Sequence, residues 1–288
     1  MNVIEIRGVT KKYSQFALDQ VSFGIKQGFI TGLIGPNGAG KSTLIKLLMG
    51  MAVPEQGEIS IFGKPMPQQE GQIKEQIGFV SDESHFYEHL TIAAMKNVIA
   101  PFYKQWNEAL FKNYLDRFEL SQKTKIKNLS KGMKMKFSLA CALSHQADLL
   151  IMDEPTAGLD PVFRRELLDI LGELMLDEKK TILFSTHITT DLDRIADFIT
   201  FVNRGKLVFS DSKEQILDRY VLVKGDTALL DRDLRNAFIG IRETSIGFEG
   251  LSANRSEAER LFGSYAKMVS PTLEDIMYFT AKGGRTHA

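Results

Sequence analysis

Gly35-Pro36-Asn37-Gly38-Ala39-Gly40-Lys41-Ser42-Thr43 decides the fold. It fully matches the phosphate-binding P-loop pattern. Its glycines let successive backbone N–H groups turn inward around an oligoanion without a side-chain clash. Lys41 adds a point charge, and Ser42 offers a hydroxyl to a magnesium ion. The helix that starts here presents free N–H groups and the positive end of its dipole to the phosphates. The flanks agree: Phe29 to Ile34 reads as a buried strand, and Leu44, Ile45, Leu47 and Leu48 mark the apolar side of the following helix. Strand, loop and helix in that order predict an α/β chain.

Upstream, Val3 to Val9 and Val21 to Ile25 alternate apolar and polar and predict antiparallel strands beside the P-loop strand. Tyr13 stands between them, with a π-face that suits a nucleobase; core packing or a plain loop position is the alternative. Downstream, Gly57 to Gly63 and Ile77 to Val80 predict two more strands that close this first sheet. From Thr91 to Phe118 the apolar spacing becomes helical, and Pro101 with Gln105-Trp106-Asn107 divides it into at least two helices. The aromatics Phe86, Tyr87, Phe102, Tyr103 and Trp106 either fill this insertion's own core or form a docking surface.

Six lysines fall between Lys123 and Lys136, ordinarily a solvated face. Within them Ser130, Lys131 and Gly132 precede the apolar positions Phe137, Leu139, Ala140 and Leu143. Ser130 therefore looks like a helix cap whose free N–H groups face an anion, a second phosphate-binding terminus. Asp148 to Pro155 reads as a buried parallel strand that ends in Asp153 and Glu154. Asp153 sits where open α/β sheets bind ligands and where magnesium is held through water; Glu154, turned the other way by strand alternation, can take a proton from an attacking water. A turn through Asp160 leads to a helix from Val162, and Thr181 to His187 is a further buried strand that delivers His187 to the same edge. Asn203 to Lys206 predicts a hairpin. Beyond about residue 217, short strands and two helix starts, at Ser256 with Glu259 as a capping box and at Ser270-Pro271-Thr272, indicate a small α+β region.

Composition narrows the function. The 288 residues are 43% hydrophobic and 25% charged, and 36 Lys and Arg balance 36 Asp and Glu, so no general attraction to nucleic acid is implied. Cys141, the sole cysteine, excludes a disulfide framework and a cysteine zinc site. The amino terminus lacks the layout of a signal peptide, and no apolar run nears the roughly 18–20 residues that span a bilayer, so a cytosolic location is expected and any membrane role needs a partner.

The P-loop, Leu129-Ser130-Lys131-Gly132-Met133, Leu149 to Pro155, Gly158-Leu159-Asp160 and Ser185-Thr186-His187, in this order, resemble the nucleotide-binding subunits of ABC transporters. The resemblance covers residues 1–217, with a helical subdomain at about 86–147, and leaves 218–288 as an accessory region. It implies the ABC type of P-loop ATPase, with an antiparallel β subdomain. It also implies ATP and Mg2+ as ligands, a second nucleotide-binding subunit (identical or not), an integral-membrane permease, and a peripheral place for this chain on the cytoplasmic face of the cell membrane. By the same resemblance Tyr13 stacks on the base; Gly35, Pro36, Asn37, Gly38, Ala39, Gly40, Lys41, Ser42 and Thr43 hold the phosphates. Ser130, Lys131 and Gly132 form the signature that meets the partner's ATP. Asp153 and Glu154 are the magnesium-side acid and catalytic base, Asp160 the dimer-loop residue and His187 the switch histidine. Lys131 and Met133 depart from the usual Leu-Ser-Gly-Gly-Gln, and Asp82 stands where a glutamine is expected, as a further metal candidate. This signature variant is similar to that of bacterial exporters of drugs, antimicrobial peptides or lipids. The alternative is an ATP-gated sensor that hydrolyses little.

Overall fold

The computed structural model describes residues 1–81 and 86–283. Strands β1 (Asn2–Lys12) and β2 (Ala17–Lys26) alternate buried and exposed residues, as befits a sheet with one face in the core. Next, β3 (Ile30–Ile34), buried throughout, runs into the P-loop and helix α1 (Lys41–Leu48). β4 (Gln56–Ile61), β5 (Lys64–Met66), α2 (Glu70–Lys74) and β6 (Ile77–Ser81) follow. The helical stretch then supplies α3 (Ile92–Ile99), α4 (Glu108–Arg117) and α5 (Lys131–Ser144). After it come β7 (Leu149–Asp153), α6 (Pro161–Leu174), β8 (Thr181–Thr186), α7 (Thr189–Ile195), β9 (Phe198–Asn203), β10 (Lys206–Ser212) and α8 (Lys213–Arg219). The chain finishes with β11 (Val221–Gly225), α9 (Arg232–Arg235), β12 (Gly240–Thr244), β13 (Gly247–Ser252), α10 (Arg255–Phe262), β14 (Lys267–Val269) and α11 (Leu273–Gly283).

Three sheets result, ordered β2-β1-β4-β5, β10-β9-β3-β8-β7-β6 and β12-β13-β11-β14. In the central one β9, β3, β8, β7 and β6 are parallel, and β10 pairs antiparallel at the edge. The expected single first sheet is thus corrected: β1, β2 and β4 form a separate antiparallel sheet, while Ile77 to Ser81 joins the P-loop sheet beside β7. Ile77, Gly78 and Val80 are all buried, which suits a strand covered on both faces rather than one with a wet side. Phe29, read as part of the P-loop strand, lies before it and is 41% exposed.

Strand alternation sorts the central sheet's side chains onto two cores. Leu33, Ile151 and Leu183 face α1 and the antiparallel sheet. Ile34, Met152 and Phe184 face the opposite side, with Phe111 and Phe137 of the helical stretch and Leu167 and Leu171 of α6. The aromatics of the insertion divide accordingly. Phe86, Trp106 and Tyr103 pack inward, against Phe137, Phe111 and His145 respectively, whereas Tyr87 and Phe102 are exposed.

The third sheet follows the same rule. Val221, Val223 and Phe248 meet Ala258 and Phe262 of α10, while Leu222 and Leu251 turn toward Leu273, Ile276 and Phe279 of α11 and join the core of the central sheet. Each of these Val, Leu, Ile and Phe side chains, when fully buried, contributes roughly 1.5–3 kcal/mol. The cap expected at Ser256 lies two residues earlier: Asn254 accepts the Glu257 N–H at 3.1 Å. Asn254 wins because it precedes the first helical residue, leaving Ser256 inside the first turn. At α11 the cap is reciprocal, Thr272 Oγ1 accepting from the Asp275 N–H and Asp275 Oδ2 from the Thr272 N–H.

Candidate functional site

The carboxyl ends of β3, β7 and β8 lie side by side in register, Ile34 opposite Thr186 and Asp153 opposite Ser185. Three loops therefore leave the sheet at one edge, which is where ligands of such sheets bind. A cleft of about 580 Å3 opens there, lined by Asn37 to Thr43, Glu154, Ala157 and His187, with Gln15 and Phe16 at its rim.

Helix α1 begins at Gly40, whose φ of 113° favours glycine, and no side chain caps it. The first-turn N–H groups of Lys41, Ser42 and Thr43 have no intrahelical acceptor and point at the cleft end of the helix. Lys41 is buried; its Nζ donates to the Gly35 carbonyl at 2.7 Å and lies 3.4 Å from Glu154 Oε1. The loop is braced from the hairpin, where the Gly205 N–H donates to the Ala39 carbonyl at 3.0 Å.

Glu154 adopts a φ of 49°, an uncommon left-handed conformation for a non-glycine residue and a form of strain found at functional sites. Strand alternation had predicted only that it diverges from Asp153; this turn places its carboxylate in the cleft, with its N–H donating to the Ser185 carbonyl at 2.9 Å. Glu154 Oε2 accepts the His187 N–H at 3.2 Å and lies 2.8 Å from His187 Nδ1. One carboxylate thus bridges the P-loop lysine and the histidine.

Asp153 stays at the strand end, where Ser185 Oγ donates to its Oδ1 at 3.0 Å and the Ser42 hydroxyl also bonds to it. Burial pushes this carboxyl above its usual range, against the pull of both hydroxyls and of the Lys41 charge. Ser42 and Asp153 supply hard oxygen donors, and no group of three or more metal-ligating side chains occurs among the described residues. That donor set fits Mg2+ shared with phosphate oxygens rather than a cation caged by protein alone. Asp82, the other metal candidate, lies outside the described residues.

Not every candidate converges. Tyr13 is half exposed and outside the cleft lining, with Lys11 Nζ 5.8 Å from its ring; Phe16, unremarked in the sequence reading, lines the cleft instead. Ser130, Lys131, Gly132 and Asp160 also lie outside it. Ser130 caps α5, its Oγ accepting the Met133 N–H at 3.2 Å. Lys131 lies along the turn before α6, its Nζ 3.4 Å from where a Cβ on Gly158 would stand. Asp160 caps α6 by accepting the Val162 and Phe163 N–H groups at 3.1 and 2.9 Å. A second aromatic three residues after Tyr13 was the available signal for Phe16; Ser185 and Gly205 stood in a motif and a hairpin, but nothing local marked their contacts with Asp153 and Ala39.

The family model described as "ABC transporter" matches residues 18–157. The chain is 35% identical over 211 residues to Nod factor export ATP-binding protein I of Neorhizobium galegae, covering 71% of this chain and 60% of that protein. It is 34% identical over 209 residues to a bacitracin transport ATP-binding protein of Bacillus licheniformis, covering 72% of this chain and 68% of that one. A solved structure described as an ATP-binding subunit of an ABC transporter superposes with a TM-score of 0.68 at 30% identity, over 75% of this chain and 92% of that one. With this cleft, this sheet order and these relatives, the chain belongs to the family of ABC transporter ATP-binding proteins.

Proposed function

We propose that this chain binds and hydrolyses ATP and couples that cycle to export through a separate membrane permease. The observation that carries the reading is the bridge from Lys41 through Glu154 to His187 at the mouth of the P-loop. The N–H groups of the loop and α1 hold the phosphates, with Lys41 as their charge partner. Glu154 accepts the proton of the attacking water, and His187 holds Glu154 and orients the terminal phosphate. Ser42 and Asp153 would hold Mg2+, which would supply charge neutralisation on the phosphate oxygens. Tyr13, exposed beside the cleft, stacks on the base.

The signature residues Ser130, Lys131 and Gly132 lie outside this cleft, so the proposed ATP contact they make is with a second subunit's nucleotide, and Asp160 belongs to that interface. Gly132 supports this: a Cβ there would come no closer than 3.9 Å to any described atom outside its own helix backbone, so no described neighbour demands a glycine. Nucleotide and pairing are then linked, and loss of the terminal phosphate removes the contact that holds the pair.

Residues 1–217 form the cassette in this reading, 86–147 its helical subdomain and 218–288 an accessory region. No helix among the described residues is long and apolar enough to cross a membrane. In this reading cargo is moved by a permease chain, with this subunit on its cytoplasmic face. Relatives named for Nod factor export, bacitracin transport and multidrug transport support export of a drug, antimicrobial peptide or lipid-like cargo, and in this reading the Ser-Lys-Gly-Met signature belongs to an exporter subgroup. Steady-state phosphate release by the purified chain tests the reading. Turnover well above that of a Lys41→Ala variant is expected; turnover equal to it, with ATP still bound, would instead establish the sensor reading.

A further inference from the structure

Contacts behind the cleft close into a ring that includes two residues with no part in the chemistry above. Arg164 lies in the first turn of α6, and its backbone N–H donates to the Asp160 carbonyl at 2.9 Å, so it is anchored to the 156–160 turn. Its guanidinium reaches across to α7, where Nε donates to Asp191 Oδ1 at 2.7 Å and Nη2 to Thr190 Oγ1 at 3.0 Å. Asp191 is 3% exposed, and its Oδ2 has no hydrogen-bond partner among the described residues. A buried carboxylate with one oxygen left over is a costly way to join two helices; apolar side chains would do so at least as well. The pair fixes geometry instead.

What it fixes is the start of α7. Thr189, the first residue of that helix, follows His187 by two positions, and His187 rests on Glu154 through both its N–H and its Nδ1. Glu154 in turn opens the turn that ends at Asp160, its carbonyl accepting the Ala157 N–H at 3.1 Å. A second bridge joins the same helices, Arg194 Nη2 donating to Asp169 Oδ1 at 2.6 Å, but it is exposed and lies beyond Asp191 from His187.

We propose that Arg164 and Asp191 are positioning residues of the nucleotide cleft: their ion pair ties the Asp160 turn to the start of α7 and so holds His187 against Glu154. The inference rests on the hydrolytic reading of Glu154 and His187. Arg164→Ala alone would strand a buried charge and risk unfolding, so the informative variants are Asp191→Asn and the double substitution Arg164→Met with Asp191→Leu, which replaces the pair by packing. Arg194→Ala is the control on the exposed bridge.

In both informative variants kcat for ATP falls about 10–100-fold while KM stays within about twofold, because a displaced group costs rate rather than ground-state binding. The double variant melts near the wild-type temperature, Asp191→Glu recovers part of the rate, and Arg194→Ala changes neither parameter. Amide hydrogen exchange gives a readout that needs no turnover: protection at His187 and Ile188 drops at least about tenfold while β8 stays protected. A double variant with wild-type kcat, or unchanged exchange at His187 and Ile188, overturns the proposal. Should the wild type itself hydrolyse no faster than Lys41→Ala, the hydrolytic reading fails separately, and the exchange measurement still decides whether the pair holds His187.

Discussion

The N-termini of α1 and α5 are built in opposite ways, and the difference shows where each is meant to be completed. At α1 a Cβ on Gly40 would stand 2.7 Å from Leu18 Cδ2 and 2.8 Å from Phe16 Cζ, and φ is 113°, so both space and backbone demand glycine. No side chain caps this end, and the buried Lys41 stands beside it. At α5 Ser130 already satisfies one first-turn N–H, a Cβ on Gly132 would meet no obstacle among the described residues outside its own helix, and the end lies on the exposed surface away from the cleft. The first terminus is completed by its own chain plus a phosphate. The second has a glycine that no described neighbour outside its own helix requires.

The sharpest way to break this contrast is at the cleft. Glu154→Gln removes the proposed base and leaves the α1 terminus intact, so turnover falls about 10²–10⁴-fold while nucleotide still binds. Phosphate release and a fluorescent-nucleotide titration measure the two halves separately.

A second test acts at the other end of α5. His145, which follows the helix, is buried, stacks on Tyr103 at 3.8 Å, and among the described residues neither ring nitrogen meets a hydrogen-bond partner on another residue. Burial, with a smaller push from the Lys180 charge, lowers its pKa from 6.5 to about 4. The folded value lies below the unfolded one, so its contribution is fully present above pH 6.5 and is lost as pH falls toward 4, amounting to about 3 kcal/mol. Urea unfolding at pH 7.5 and 4.5 should show that loss, and a His145→Phe chain should lose less.

Smaller effects separate the two termini directly. Gly40→Ala should cost about 1–3 kcal/mol of stability through its φ and contacts, and weaken ATP binding. Gly132→Ala should leave the isolated chain's stability within about 0.5 kcal/mol, yet slow turnover of the paired form. Ser130→Ala should cost about 1 kcal/mol by removing the cap. Thermal melts of the three variants, alongside ATP titrations, check all of them.

Elements whose signals are local were legible in the sequence: the P-loop, the acid-terminated strand before Glu154, His187 at a strand end and the Asn203–Lys206 hairpin. The features that were not legible depend on residues far apart in the chain. The pairing of β6 with β7 brings Ile77 to Leu149, and apolar content alone does not choose a sheet. Ser185 reaches Asp153, and the Gly205 N–H reaches Ala39, through topology rather than spacing. Phe86 and Tyr87 are neighbours with similar rings, yet one packs on Phe137 and the other faces solvent, because only the fold sets which side the core is on. Lys131 and Gly132 were readable as a motif, while the room that a Cβ on Gly132 would have, with Leu159 Cδ2 3.9 Å away, is set by the fold.

Sedimentation of the Glu154→Gln chain across a concentration series, with magnesium and either ATP or ADP, tests the link between nucleotide and pairing most directly. Dimers with ATP, monomers with ADP, and monomers under both once Gly132 is replaced by Glu are the predicted outcome. Monomers with ATP at every concentration, whether or not a second cassette protein is added, would contradict it.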